Sequence, residues 1–167
     1  MATLIPFSFL NLYAGLDWRE VLWGYEHQLI GWPTVVDIAT EHIRAGSDDS
    51  KELQLASLTK MEAHQVGSLL RDLVSASPKV NESEPKTVWM DLLLAWLFVN
   101  KASITDPLAE IEKIYADFDY PQEIEGFVRY MPPTDTYDPR VHSNKENEAR
   151  LFGKWQDYLV TRFADFS

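Results

Sequence analysis

The sequence predicts an all-α fold, a compact single domain over residues 1–167 with about seven or eight helices around an apolar helix near residues 86–100. Helix-start and helix-stop residues recur along the chain, and apolar residues lie three and four positions apart between them. Strand signals are weak, because no run of alternating apolar and polar residues is bounded by hairpin turns of the Asn-Gly kind. These two observations together indicate the class.

The first predicted helix begins at a capping-box pattern, Asp17 with Glu20, and is expected to end at Gly31. Its apolar face consists of Trp18, Val21, Leu22, Tyr25 and Leu29. Pro33 suits the first turn of a second helix, which is expected to stop at Gly46. The inward residues of that second helix are Val36, Ala39 and Ile43.

A turn at residues 47–50 and a short helical piece over residues 51–58 are expected next. Thr59 and Glu62 then form a second capping-box pattern. It predicts a helix whose apolar face is formed by Val66, Leu69, Leu70 and Leu73. The following stretch, residues 75–85, is polar and bounded by proline, so we expect a loop.

Residues 88–99 form the most apolar segment of the chain, VWMDLLLAWLFV, in which Asp91 is the one charged residue. A bilayer span takes about 20 residues, so this segment is too short to cross a membrane. A helix that is apolar on all sides is typical of the core of a soluble domain. Trp89, Trp96 and Phe98 are therefore expected to be core residues.

Asp106-Pro107 predicts the start of a further helix with the stripe Leu108, Ile111, Tyr115 and Phe118. A short helix is expected over residues 122–130. Residues 131–143 contain three prolines and no helical period, which predicts an ordered but irregular loop. The last helix is expected over residues 144–164, with Leu151, Trp155, Leu159 and Phe163 facing inward.

Charge is the strongest compositional signal, since 15 basic and 26 acidic residues give a net charge of −11. Such a surface repels nucleic acid and anionic membranes and attracts basic protein surfaces. Cysteine is absent, which suits a reducing cytosol. The apolar N-terminal stretch is not preceded by Lys or Arg, so it is a poor signal peptide. We therefore expect a cytoplasmic protein.

No catalytic motif emerges, so neither catalytic residues nor a cofactor are expected. The four histidines lack a zinc-protease spacing, and there is no Gly-x-Ser-x-Gly element. Asp117-Phe118-Asp119 places two carboxylates near each other, but Pro121 and Gln122 break a calcium-loop pattern. Solvated carboxylates at a helix end are the simpler interpretation, and no metal is expected. The alternative is a metal-dependent enzyme that uses Asp117, Asp119 and a histidine brought close by the fold.

The acidity is concentrated between residues 106 and 148, where 11 acidic residues accompany four basic ones and four tyrosines. Tyr rings supply contact area in protein interfaces, and carboxylates pair there with Arg or Lys of the partner. The candidate partner-binding residues are Asp117, Asp119, Tyr120, Glu123, Glu125, Tyr137 and Asp138. The alternative is an acidic, solvated face with its Tyr rings folded onto the core.

The segment IYADFDYPQEIEGFVRYMP (residues 114–132) carries a family resemblance, together with Asp17-Trp18, Leu22-Trp23-Gly24, Leu29-Ile30-Gly31, Arg150-Leu151 and Trp155. These motifs resemble a family of small bacterial proteins of unknown function that look like immunity proteins of polymorphic-toxin and contact-dependent inhibition systems. The resemblance implies a cytosolic protein without catalytic residues, which binds the C-terminal domain of a toxin. Many such toxins are nucleases with basic clefts. A structural or adaptor domain is a further alternative.

Overall fold

The computed structural model describes residues 4–166, and within that range it is helical without any β-strand. The predicted all-α class is thus confirmed. The α-helices are α1 (Phe7–Tyr13), α2 (Trp18–Glu26), α3 (Trp32–Arg44), α4 (Ser50–Ala56), α5 (Val66–Ala76), α6 (Pro85–Val99), α7 (Pro107–Asp117) and α8 (Asn144–Arg162). Four 3-10 helices lie between them, at Lys60–Gln65, Lys101–Ser103, Gln122–Phe127 and Pro139–Val141.

The chain divides into two compact units, Met1–Trp89 and Met90–Ser167, and the division falls within α6. In the first unit α3 packs on α4, and α2 packs on α5. Trp89 is fully buried there, and its indole Nε1 donates a hydrogen bond to the backbone oxygen of Glu20 at 2.8 Å. Gly24 of α2 lies directly against the Trp89 ring.

In the second unit α8 packs on the 3-10 helix Gln122–Phe127. Trp155 of α8 is fully buried and meets Phe98 edge-on, with 5.0 Å between the ring centroids. Tyr158, one turn further along α8, donates a hydrogen bond of 2.5 Å from its hydroxyl to the buried carboxylate of Asp91. Burial raises the pKa of Asp91, and burial together with that carboxylate raises the pKa of Tyr158.

Both predicted capping boxes form. Asp17 and Glu20 exchange backbone and side-chain hydrogen bonds at the start of α2, and Thr59 and Glu62 do so at Lys60–Gln65. The second box begins the 3-10 helix Lys60–Gln65, and α5 follows directly after it. The prediction of one continuous α-helix from that box was therefore wrong, because its first part is a 3-10 helix. A third box, Ser143 with Glu146, starts α8.

Some predicted element ends differ from the structure. Helix α2 stops at Glu26 rather than Gly31, because Gln28 adopts a left-handed backbone with φ of 61°. Gly31 instead caps the start of α3. The helix expected over residues 122–130 is a shorter 3-10 turn, and a 3-10 turn also lies inside the expected loop 131–143. Helix α1 was not predicted.

The expected core is largely correct. Residues from Trp89 to Ala95 of α6 are buried without exception, as expected for a helix that is apolar all round. Phe98 is buried, whereas Trp96 is half-buried. On α3 the inward residues are Val35, Ile38 and Ala39; Val36 and Ile43 are only half-buried.

Candidate partner-binding surface

Helix α7 and the turn after it carry the first group of candidate residues. Asp106 caps α7 by accepting a hydrogen bond from the backbone nitrogen of Ala109 at 3.2 Å. Arg129, which comes later in the sequence, contacts this helix. It pairs with Asp106 at 3.1 Å and with Glu112 at 3.2 Å. The guanidinium of Arg129 holds the pKa of Asp106 below its usual value and ties residues 121–130 to α7.

The turn after α7 uses two consecutive left-handed residues, Asp119 with φ of 65° and Tyr120 with φ of 57°. The backbone nitrogen of Tyr120 donates to the carbonyl oxygen of Tyr115 at 2.8 Å and closes the helix end. Left-handed backbone costs roughly 1–2 kcal/mol per residue when the side chain is not glycine. The turn therefore fixes the backbone direction at Asp119 and Tyr120 at some cost in conformational energy.

Three tyrosines cluster at this turn. Tyr115 is buried at 4% exposure, and the rings of Tyr120 and Tyr130 both contact it, with centroid distances of 5.2 and 6.1 Å. Tyr120 and Tyr130 themselves are 61% and 56% exposed. Partial burial, reinforced by the neighbouring tyrosines and Glu112, raises the pKa of Tyr130. Two rings are thus anchored at one edge and open to solvent over most of their surface.

Acidic side chains accompany these rings. Asp117, Asp119 and Glu123 are exposed, and Glu125 is half-buried. Glu123 and Glu125 lie on the 3-10 helix Gln122–Phe127, which is anchored by the buried Ile124 and Phe127. Within residues 4–166, Asp117, Glu123 and Glu125 have no Lys, Arg or His within ion-pair distance. We call Asp117, Asp119, Tyr120, Glu123, Glu125 and Tyr130 the tyrosine–carboxylate segment.

Tyr137 and Asp138 lie in the loop before α8, away from the tyrosine–carboxylate segment in sequence, and Tyr137 contacts α8. The Tyr137 ring stacks on the imidazole of His142 with 4.6 Å between the centroids, and the guanidinium of Arg150 lies 4.1 Å from its centroid. Its hydroxyl donates to Asn147 at 2.5 Å. The ring and the hydroxyl of Tyr137 therefore already have partners within the chain.

Asp138 has an internal role as well. Its carboxylate accepts from the backbone nitrogen of Arg140 and pairs with that guanidinium, both at 3.0 Å, and Arg140 holds the pKa of Asp138 below its usual value. Nearby, Asp135 binds Arg150 at 2.8 Å and Lys154 at 3.3 Å. The backbone nitrogen of Tyr137, then Arg150, lower the pKa of Asp135 to about 2. This network orders the loop 131–143.

An open groove of about 360 Å³ lies beside this network. Its walls combine apolar residues with amides and charged groups: Arg129, Met131, Pro133, Tyr137, Pro139, Asn144, Asn147, Glu148, Arg150 and Leu151. Sequence reasoning did not identify the groove, because its walls come from the proline-containing loop and from α8.

Residues 7–162 match the model of a family described as an uncharacterised protein conserved in bacteria (DUF2247). The chain belongs to this family. The predicted resemblance to a bacterial family of unknown function is thereby confirmed at that level. No match was found among curated proteins or among solved structures.

The metal-dependent alternative requires Asp117, Asp119 and a histidine to lie close together. In the described part of the chain, no three His, Asp or Glu side chains converge in a way that could hold a metal ion. His142, the histidine nearest in sequence to Asp117, stacks on Tyr137 instead. Among the helices of residues 4–166, none is both long enough and apolar enough to cross a membrane.

Proposed function

We propose that this family member is an immunity protein, which binds a cognate bacterial toxin domain in the cytoplasm and neutralises it through its acidic surface. The observation that carries the proposal is the tyrosine–carboxylate segment. Two tyrosines there remain more than half exposed while they pack on a buried third one. Asp117, Glu123 and Glu125 beside them have no cation from the described residues of this chain.

Exposed aromatic rings anchored at one edge suit an interface hot spot. Tyr supplies a large contact area and loses little conformational entropy, especially when its ring is already held by a neighbour. Tyr120 and Tyr130 meet this description through their contacts with Tyr115. Their hydroxyl groups remain available to donate or accept hydrogen bonds with a partner.

The charge specifies the kind of partner. Carboxylates that lack an internal cation attract Arg and Lys side chains, and the net charge of −11 steers a basic protein toward the surface. A nuclease presents a basic cleft to its phosphate substrate, and an acidic inhibitor can occupy that cleft or dock beside it. A nuclease toxin domain is therefore the partner class that we propose.

Asp117, Asp119, Tyr120, Glu123 and Glu125 remain interface candidates, and Tyr130 joins them. Tyr137 and Asp138 are weaker candidates, because their rings and charges are already bound by Arg150, His142 and Arg140. Tyr137 helps to hold the loop 131–143 against α8 through Asn147 and Arg150, and Asp138 caps the 3-10 helix Pro139–Val141.

Co-expression with the polypeptide encoded immediately upstream tests the proposal. We expect a one-to-one complex on size-exclusion chromatography and restored growth of cells that produce the upstream polypeptide. The variant Y120A/Y130A is expected to lose protection, whereas the control M61A, at a side chain that is 84% exposed on the first unit, should retain it. A folded protein that forms no complex and gives no protection would refute the immunity function and leave an adaptor role as the alternative.

A further inference from the structure

A buried carboxylate in the first unit orients a half-buried histidine. Glu52 of α4 is 8% exposed, and its Oε1 accepts hydrogen bonds from Nε1 of Trp18 at 2.8 Å and from Nδ1 of His42 at 3.0 Å. Its Oε2 accepts a hydrogen bond from the hydroxyl of Ser47. Burial acts to raise the pKa of Glu52, but Ser47, His42 and Trp18 outweigh it and hold the pKa below its usual value.

These contacts determine the tautomer of His42. The Glu52 carboxylate is ionised at neutral pH, so it can only accept hydrogen bonds. Nδ1 of His42 must therefore carry the proton in their contact. In the neutral imidazole, Nε2 then has a free lone pair and is a hydrogen-bond acceptor. Carboxylate-to-histidine contacts of this kind fix the orientation of imidazoles that bind ligands in other proteins.

His42 lines a cavity of about 120 Å³ that opens to solvent. Most of the wall is apolar and comes from Phe7 and Leu10 of α1, Leu16 of the following loop, and Ile38 of α3. The volume is close to that of engineered apolar cavities of about 150 Å³, which are large enough for benzene. Glu41 also lines the cavity, but its carboxylate is paired with Arg44 at 2.7 Å.

We propose that this cavity binds a small, uncharged aromatic molecule carrying one hydroxyl group, of the chemical class of phenol. The ring lies against the apolar wall, and the hydroxyl donates a hydrogen bond to Nε2 of His42. An anionic ligand is disfavoured, because the carboxylates of Glu41 and Glu52 lie close to the site. The site is in the first unit and does not depend on the proposed toxin-binding segment, which lies in the second.

Nuclear magnetic resonance on the full chain provides the test, with phenol and toluene as matched probes. Long-range proton–nitrogen spectra are expected to show the proton of neutral His42 on Nδ1. Phenol should cause saturable shifts at Leu10, Leu16, Ile38 and His42. Toluene, which lacks the hydroxyl, is expected to bind about five- to tenfold more weakly, since it forgoes one hydrogen bond.

The variant H42F removes the acceptor and is expected to abolish the preference for phenol over toluene. H27F is the matched control, because His27 is exposed on the surface and is not part of the cavity wall. The proposal is overturned if neutral His42 carries its proton on Nε2, if phenol causes no saturable shift, or if H42F keeps the preference. Should H42F fail to fold, equal affinities of the native chain for phenol and toluene would overturn it.

Discussion

Among single residues, Gly24 and Trp89 form a close contact in the first unit. The indole of Trp89 is fully buried and fixed by its hydrogen bond to the Glu20 carbonyl. A Cβ atom added at Gly24 would overlap the six-membered ring of that indole. Protein interiors are close-packed, so neither side chain nor helix has free space into which to move. The glycine is thus required by close approach rather than by backbone conformation.

We expect Gly24→Ala to lower the free energy of unfolding by about 1–3 kcal/mol, because overpacking outweighs the better helix propensity of alanine. Gly153 of α8 is the matched control, as a Cβ there meets nothing within 4 Å. Gly153→Ala should raise the free energy of unfolding by up to about 1 kcal/mol. Urea denaturation followed by circular dichroism measures both, and equal effects of the two substitutions would contradict the packing account.

Glu52 gives a pH-dependent prediction. Its pKa is lower in the folded chain than the reference value of 4.5, so the carboxylate stabilises the fold above about pH 4.5. This contribution is lost as the pH falls through the folded-state pKa. We expect Glu52→Gln to cost about 2 kcal/mol at pH 7, because three donors lose a charged acceptor, and less at pH 3. Urea denaturation at both pH values checks this, with the exposed Glu82→Gln as control.

The residues that sequence reasoning missed are those whose partners lie far away in the chain. Trp89 was correctly predicted as core, but nothing in the sequence indicated its contact with Gly24. The spacing of the histidines gave no partner for His42, and the fold places it against Glu52 of another helix. Tyr130 stood out only as one of several tyrosines. The fold places it on Tyr115, and this contact makes it a candidate for the proposed interface.

At the scale of elements, local capping signals were the most dependable guide. The pairs Asp17 with Glu20 and Thr59 with Glu62 were identified from spacing, and both form. Capping depends on residues three positions apart and needs no knowledge of the fold. Helix α1 was missed because Pro6 at its start supplies no side-chain cap and the helix is short. The end of α2 was missed because the left-handed Gln28 is not a glycine.

The cap of α8 can be tested directly. Ser143 accepts a hydrogen bond from the backbone nitrogen of Glu146 at 3.1 Å, and Glu146 reaches back to the backbone nitrogen of Ser143. Ser143→Ala is expected to lower the free energy of unfolding by about 1 kcal/mol. Thermal and urea denaturation give this value. The control Gln156→Ala, at an exposed position within α8, should change it by less than about 0.5 kcal/mol.

Across the whole molecule, the distribution of charge is the feature on which the proposed function depends. Several acidic residues between 106 and 148 are neutralised by nearby cations, including Asp106, Asp135 and Asp138. The carboxylates left without such partners include Glu123 and Glu125 of the tyrosine–carboxylate segment. Counting charges along the sequence located the acidic region. It could not distinguish carboxylates that form ion pairs from those that do not. The pairs Asp106 with Arg129 and Asp135 with Arg150 form only in the folded chain.

Two charge-reversal variants, compared in binding to the upstream-encoded polypeptide, test whether the tyrosine–carboxylate segment is the interface. The first, D119K/E123K/E125K, changes the tyrosine–carboxylate segment. The second, E26K/E82K/E84K, changes exposed carboxylates of the first unit and alters the net charge equally. Because the two variants have the same net charge, a difference in their binding indicates a local interface rather than general attraction between an acidic and a basic protein.

Affinity and association rate are measured by surface plasmon resonance at low and at physiological salt. We expect the first variant to bind at least about tenfold more weakly than the native chain and to lose most of the salt dependence of binding. The second variant should stay within about threefold of the native chain at physiological salt, where distant exposed charges are screened. Equal weakening by both variants, or native affinity in the first, would contradict the assignment of this segment to the interface.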